Sequence, residues 1–169
     1  MSPELLEKAE KALPKLPPAA QQKVGALLAE ARRAKTKEVV SKDFMAFVNY
    51  VWPSFIHGAH HEKMAEAFQQ VAEGKIKRLI INMPPRHTKS EFASYLLPAW
   101  FLGMYPEKKI IQTAHTAELA VGFGRKVRNL VQSPAYQRVF QTELSSDSKA
   151  AGRWNTSEGG DYFAIGVGG

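Results

Sequence analysis

Apolar residues recur along this chain first at helical spacing and later at strand spacing, and each change of period marks an element. Residues 1–37 are dominated by Ala, Lys, Glu and Leu. Ser2 followed by Pro3 predicts a helix N-terminus, with proline in the first turn, where its missing N–H costs nothing. That helix runs to about Leu13 and is stopped by Pro14. Pro17-Pro18 opens a second helix through about Lys37, with Val24, Leu27, Leu28 and Ala31 along one side. Together they predict a helical arm over residues 1–37, appended to a domain over residues 38–169. The arm reads as packing structure, with protein docking as its functional rival.

Beyond the arm, "DFMAFVNYVWP" predicts a helix up to Val51, ended by Pro53. "HHEKMAEAFQQVAEG" predicts another, with Met64, Phe68 and Val71 inward and Gly74 as its C-terminal stop. "KRLIINM" is a short apolar run of strand type, and a strand apolar on both faces suits a parallel sheet. "SEFASYLLPAWFLG" predicts a helix kinked or ended near Pro98, and "KKIIQTAH" a second strand. In "TAELAVGFGRKVRNLVQS" the residues Leu119, Ala120, Phe123, Val127, Leu130 and Val131 form one helical stripe. "RWNTSEGGDYFAIGVGG" predicts two strands about the turn "SEGG". The succession helix, strand, loop, helix, strand, helix predicts an α/β domain with a mostly parallel sheet flanked by helices.

Composition narrows the chemistry. The chain has 169 residues, 44% of them hydrophobic, enough to build a core. Its 23 basic and 16 acidic residues leave a net charge of +7. That balance favours a polyanionic partner, such as nucleic acid, a nucleotide or an anionic membrane surface. A basic but inert surface is the alternative. There is no cysteine, which excludes disulfides and thiolate metal sites and fits a reducing compartment. No apolar stretch reaches the roughly 20 residues needed to span a bilayer. The N-terminus lacks the apolar core of a secretory signal.

One stretch carries candidate chemistry: "MPPRHTKSE", Met83–Glu91, between "RLIIN" and "FASYLLPAWF". Lys89-Ser90 at a strand-to-helix junction is how a phosphate-binding loop ends. In such loops successive backbone N–H groups wrap the phosphates, and the positive end of the following helix dipole adds to them. The lysine reaches the β- and γ-phosphates, and the next hydroxyl holds Mg²⁺. The two glycines of the usual loop are missing, replaced by Met83 and Thr88. The loop is fixed by prolines, carries Arg86 and His87, and no acid lies between Ile76 and Lys89. Spacing alone leaves open whether this is a nucleotide loop or a basic surface turn.

"RLIINMPPRHTKSE" followed by "LLPAWFLGMYPEKKIIQTAHT" resembles the ATPase domain of the large terminase subunit of tailed bacteriophages. In that family the phosphate loop commonly reads Pro-Pro-Arg-x-Gly-Lys-Ser. "FVNYVWPSFIHGAHHEKMAEAF" upstream and "RWNTSEGGDYFAIGVGG" downstream extend the likeness to about residues 43–169. The resemblance implies a P-loop NTPase-type sheet, with ATP and Mg²⁺ as cofactors. It makes Lys89 the phosphate lysine and Arg86 the arginine that senses the γ-phosphate in cis, the two catalytic groups. Pro85, Arg86, His87, Thr88, Lys89, Ser90 and Glu91 would form the nucleotide loop, with Ser90 ligating Mg²⁺. His61 stands where a polar group often touches adenine in related motors; a capping or solvent-facing histidine is the alternative. "TAHT", residues 113–116, falls where related motors couple to DNA, with a helix cap by Thr116 as its other reading. Arg125, Lys126 and Arg128, of which the two arginines lie outside the apolar stripe of their helix, are candidate contacts to DNA phosphates.

The resemblance further implies a motor that hydrolyses ATP to pump double-stranded DNA into a procapsid. It would act in the host cytoplasm as a homo-oligomeric ring on the portal, with a small terminase subunit as partner, an endonuclease domain and no membrane. Two departures follow. Thr88 stands where the family usually has glycine, and a β-branched residue is costly at positive φ. The chain also stops at Gly169, before the family's acidic Walker B strand and nuclease domain. The expectation is therefore an ATP-binding portion of a larger domain, inactive alone. Two readings compete with it: a non-catalytic basic module that binds DNA or docks a partner, and a small-molecule kinase of the P-loop class.

Overall fold

The structure, a computed structural model, describes residues 3–147 and 150–168. Ser2, expected to cap the first helix, lies outside the described residues. The chain separates into two compact units, Met1–Val39 and Val40–Gly169. The first holds helix α1 (Pro3–Ala12), a 3-10 turn at Leu13–Lys15 and most of helix α2 (Pro18–Lys42). Its buried apolar residues include Leu6 and Leu28, and Arg32 pairs with Glu10. Helix α2 runs past the expected end at Lys37 to Lys42. Nothing between Gly25 and Lys42 breaks a helix, and the chain leaves it only where Asp43 caps the next one.

In the second unit, helix α3 (Phe44–Val51) begins where the Asp43 carboxylate accepts from the Ala46 N–H at 2.6 Å, satisfying one of the orphan donors of the first turn. Helix α4 (Ala59–Ala72) ends at Gly74, which takes a φ of 74°. From Lys89 the chain is helical to Met104: two α residues, a π-helical turn over Glu91–Leu96, and helix α5 (Leu97–Met104). Pro98 lacks the N–H that an α-helix would need there. The wide π turn directly before it takes up the mismatch, so the helix continues. Strand β1 (Lys109–Ala114), helix α6 (Ala117–Val131) and the short helix α7 (Pro134–Gln137) follow. Strands β2 (Arg153–Asn155) and β3 (Asp161–Gly166) close the unit.

The core is aromatic. Phe44 makes edge-on contacts with Phe68, Phe92 and Trp100 at centroid distances of 5.4, 5.7 and 5.4 Å. Buried polar tips find carbonyls, as burial without a partner would cost about 1–3 kcal/mol each. Trp100 Nε1 donates to Val40 O, and Tyr136 OH donates to Ala99 O. Helix α6 packs on the sheet through Ala120, Gly124, Val127, Leu130 and Val131. Leu119, expected in the inward stripe, is instead 53% exposed, because the buried face is rotated toward Gly124.

The sheet corrects the expected fold class. Among the described residues helices make up 58%, and the sheet has three strands in the order β1-β3-β2. Strand β1 runs parallel to β3, with Lys109 opposite Asp161 and Ala114 opposite Gly166, but β2 runs antiparallel to β3. This is a small mixed sheet, not a P-loop NTPase-type mostly parallel sheet flanked by helices. The main cause is "RLIIN". Among the described residues, Arg78–Asn82 belongs to no strand, and Ile80 is 85% exposed. A strand needs a hydrogen-bonding neighbour as well as apolar side chains. Helix α6 covers one face of the sheet; on the other, Ile111, Phe163 and Ile165 are exposed.

Candidate functional site

The stretch Met83–Glu91 is a loop that turns into the helix at Lys89. Its backbone is unusual at two positions. Arg86 has a φ of 65° and Thr88 a φ of 58°, and among the described residues these are the non-glycine positions in the left-handed region. His87, between them, keeps a negative φ. Alternation of this kind turns neighbouring N–H groups toward one side, the arrangement of an anion-binding nest. Each left-handed non-glycine residue costs roughly 1–2 kcal/mol. The side chains around the loop offset that cost.

Thr88 is held from two sides. Its hydroxyl donates to the His87 carbonyl at 2.7 Å and lies 2.6 Å from His61 Nε2. Because the hydroxyl proton is already engaged, Thr88 Oγ1 accepts from His61 Nε2–H. Farther into the loop, His87 Nδ1 donates to the Pro85 carbonyl at 2.9 Å. Lys89 Nζ donates to the Met83 carbonyl at 3.2 Å, so the lysine folds back over the start of the loop. Pro85, Arg86, His87 and Ser90 are exposed, whereas Thr88, Lys89 and Glu91 are half-buried. The Thr88 carbonyl accepts from Phe92 N–H at 2.9 Å, which starts the helix. The amides at this helix start carry the positive end of its dipole.

His61 sits on the first turn of α4 and is only 5% exposed. Its ring packs against Phe55, Phe92 and His60, at centroid distances of 4.7, 5.1 and 3.8 Å. His60 in turn lies 5.7 Å from the His87 ring. His57 bridges Glu62 and Asn49. Burial, together with the neighbouring His60 and His57, holds His61 below the usual histidine range; Glu62 pulls the other way and His87 adds to the lowering. Of the readings made for His61 from the sequence, the structure shows a capping role, with Nδ1 accepting from Gly58 N–H at 2.9 Å, and a buried, not solvent-facing, ring. The bond to Thr88 spans 27 positions and has no local signature.

On the other side of the loop, Lys126 of α6 reaches Glu91 at 2.7 Å and lies over the rings of Tyr95 and Phe123. A pocket of about 250 Å³ lined by Val51, Trp52, Glu91, Tyr95 and Leu96 adjoins this pair. A groove of about 450 Å³ along α6 is lined by Leu119, Phe123 and Lys126 among others. Burial and the Glu91 carboxylate push the Tyr95 hydroxyl up. Arg125 is exposed on the same helix, whereas Arg128 is half-buried. The three cations therefore do not present equally to a polyanion. Thr116 caps α6 by accepting from Leu119 N–H at 3.3 Å, the structural role available to the "TAHT" segment.

The structure thus brings His61, Thr88, Lys89, Glu91 and Lys126 around one loop, with Arg86, His87 and Ser90 on its open side. No cluster of three or more metal-ligating side chains occurs among the described residues. Ser90 is one exposed hydroxyl at the helix start, which fits a Mg²⁺ ion that takes its remaining ligands from phosphates and water. No helix among the described residues is long and apolar enough to cross a membrane. No known protein family, curated protein or solved structure matches this chain.

Proposed function

We propose that the loop Met83–Glu91 binds the phosphates of a nucleoside triphosphate, with Mg·ATP as the expected ligand. The observation that carries this reading is the pair of left-handed residues, Arg86 and Thr88, directly before a helix start occupied by Lys89. Non-glycine residues persist in that conformation only where surrounding contacts hold them, and such positions concentrate at binding sites. Lys89 Nζ now rests on the Met83 carbonyl, an acceptor it exchanges for β- and γ-phosphate oxygens on binding. Arg86, on the exposed side of the loop, would supply charge to the γ-phosphate, and the Ser90 hydroxyl would be the chain's ligand to a nucleotide-bound Mg²⁺, which would neutralise phosphate charge. Within a complete ATPase domain, the loop's share of phosphoryl transfer would be charge neutralisation and positioning, with little covalent chemistry for the protein to perform.

The larger role, an ATP-driven motor that translocates double-stranded DNA in the manner of a large terminase subunit, is supported by the sequence resemblance around Lys89-Ser90 and by the basic charge. The exposed cations Arg86 and Arg125 equally favour a second reading, a basic module that binds a polyanion without turnover.

Calorimetric titration of the chain with Mg·ATP tests the nucleotide reading. Lys89→Ala and Ser90→Ala each remove a charge-assisted interaction worth roughly 1.5–3 kcal/mol, so each should weaken binding about tenfold or more. Binding of equal strength by the parent and Lys89→Ala would leave the basic-module reading in its place.

A further inference from the structure

The interaction that holds the loop in its binding shape comes from outside it. Thr88 is the β-branched member of the two left-handed residues, and its hydroxyl is where a side chain of α4 hydrogen-bonds to the loop. His61 is bonded at both ring nitrogens. Nδ1 accepts the Gly58 N–H at 2.9 Å, and the backbone N–H of His61 returns a bond to the Gly58 carbonyl at 2.9 Å. This reciprocal pair closes the start of α4 and places Nε2 against Thr88. One nitrogen accepts and the other donates, so the geometry requires the neutral ring with its proton on Nε2. A second proton on Nδ1 would face the Gly58 N–H, donor against donor.

We infer that His61 is a positioning residue for the phosphate loop: as the neutral Nε2–H tautomer it clamps Thr88 in the left-handed conformation and couples the start of α4 to nucleotide binding. This inference rests on the nucleotide reading of the loop. It assigns His61 a mechanical role through Thr88, with no contact to the base.

The groups facing the ring decide how the clamp responds to pH. They are His60, His57 and Glu62 from its own helix and the preceding loop, His87 from the phosphate loop, and the uncharged rings of Phe55 and Phe92. Three of the four titratable neighbours are histidines, and with burial they resist a further positive charge on His61. The clamp is therefore closed at neutral pH and opens as acid forces the second proton on. Direct electrostatics would act in the opposite sense, since protonated histidines near the loop attract phosphate. Since acid also protonates the terminal phosphate of ATP, the signature of the clamp is a fall of Mg·ATP affinity on acidification that His61→Gln removes, and a rise is the signature of bare charge.

The test is calorimetric titration with Mg·ATP between neutral and mildly acidic pH on the parent, His61→Gln, His61→Phe and Thr88→Val. Tryptophan fluorescence on denaturation verifies that each variant folds. The amide of Gln donates to Thr88 without titrating, so His61→Gln should keep the neutral-pH affinity and lose the acid fall. His61→Phe keeps the ring but not the bond and should lose about fivefold, the factor one neutral hydrogen bond supplies. Thr88→Val should lose a similar factor, and combining it with His61→Phe should add nothing, as for two partners of one bond. Parent-like binding by His61→Phe, or affinity that rises on acidification in the parent, overturns the clamp and leaves the nucleotide reading standing. A parent that binds no Mg·ATP at any pH overturns both.

Discussion

Helix α6 can be tested at one atom. Gly124 faces the sheet and is buried, and its carbonyl accepts from Trp154 Nε1 at 3.3 Å. A Cβ at this position would lie 2.6 Å from the Ala151 carbonyl oxygen and 3.2 Å from Tyr162 Cε1. The first neighbour is backbone, and the second belongs to a buried ring stacked on Trp154 at 4.8 Å. Neither can step aside cheaply. Gly124→Ala gains about 1 kcal/mol of helix propensity and loses about 1–3 kcal/mol to overpacking. Because the nearest clash is with backbone, the upper part of that range applies, and a net loss of about 1–2 kcal/mol is expected. Gly122, two positions earlier on the same helix, is the control: nothing lies within 4 Å of its added Cβ. Gly122→Ala should gain about 1 kcal/mol. For a chain of this size each kcal/mol moves Tm by about 2–4 °C, so the two variants should melt roughly 4–12 °C apart. Trp52, Trp100 and Trp154 all lie in the second unit, so tryptophan fluorescence reports its unfolding alone. Gly124→Ala melting at or above Gly122→Ala would refute the close packing of α6 on the sheet, and with it the placement of Lys126 beside Glu91.

The remaining predictions concern charge. If the α6 cations meet DNA phosphates, replacing Arg125, Lys126 and Arg128 together with Ala should lower the slope of log affinity against log salt. The drop should be at most about 0.9 for each phosphate no longer neutralised; an unchanged slope in a filter-binding assay assigns them to a solvated face. Lys126 is already paired with Glu91 and Arg128 is half-buried, so most of any effect should follow Arg125 alone. Burial pushes the hydroxyls of Tyr136 and Tyr162 well above the ordinary tyrosine range. In the unfolded chain both release their protons near pH 10, so above that pH the unfolded state binds fewer protons and stability falls as pH rises. Ultraviolet titration of the folded chain should leave these two phenols silent until the protein unfolds; their ionisation with native fluorescence intact would contradict the burial. Loss of the nucleotide-dependent rise in Tm in Lys89→Ala, and its survival in His61→Gln, should follow from the loop and clamp described above.

Helix α2 runs past Lys37 to Lys42, and the short helix α7, capped by Ser133, was not expected, but several element ends were legible from local chemistry. Thr116 caps α6, Gly74 stops α4, and Gly159, at a φ of 89°, makes the turn between β2 and β3. Such signals act over three or four residues, so the sequence carries them whole. The helix that starts at Lys89 was legible for the same reason: Lys89-Ser90 ahead of a long helical pattern is a local arrangement. The tertiary structure decided what depends on partners distant in the chain. "RLIIN" has the side chains of a strand, but it joins no strand pairing among the described residues, so apolar character alone misplaced it in a sheet. Leu119 carries the period of a buried position, yet the face that α6 turns to the sheet is set by the close approach at Gly124. The left-handed turn of Thr88, which a β-branched residue resists, persists beside a histidine 27 positions away. Periodicity specifies which face of an element is apolar. Only packing against other elements decides whether that face is covered, and which side chain reaches across to hold a costly backbone conformation in place.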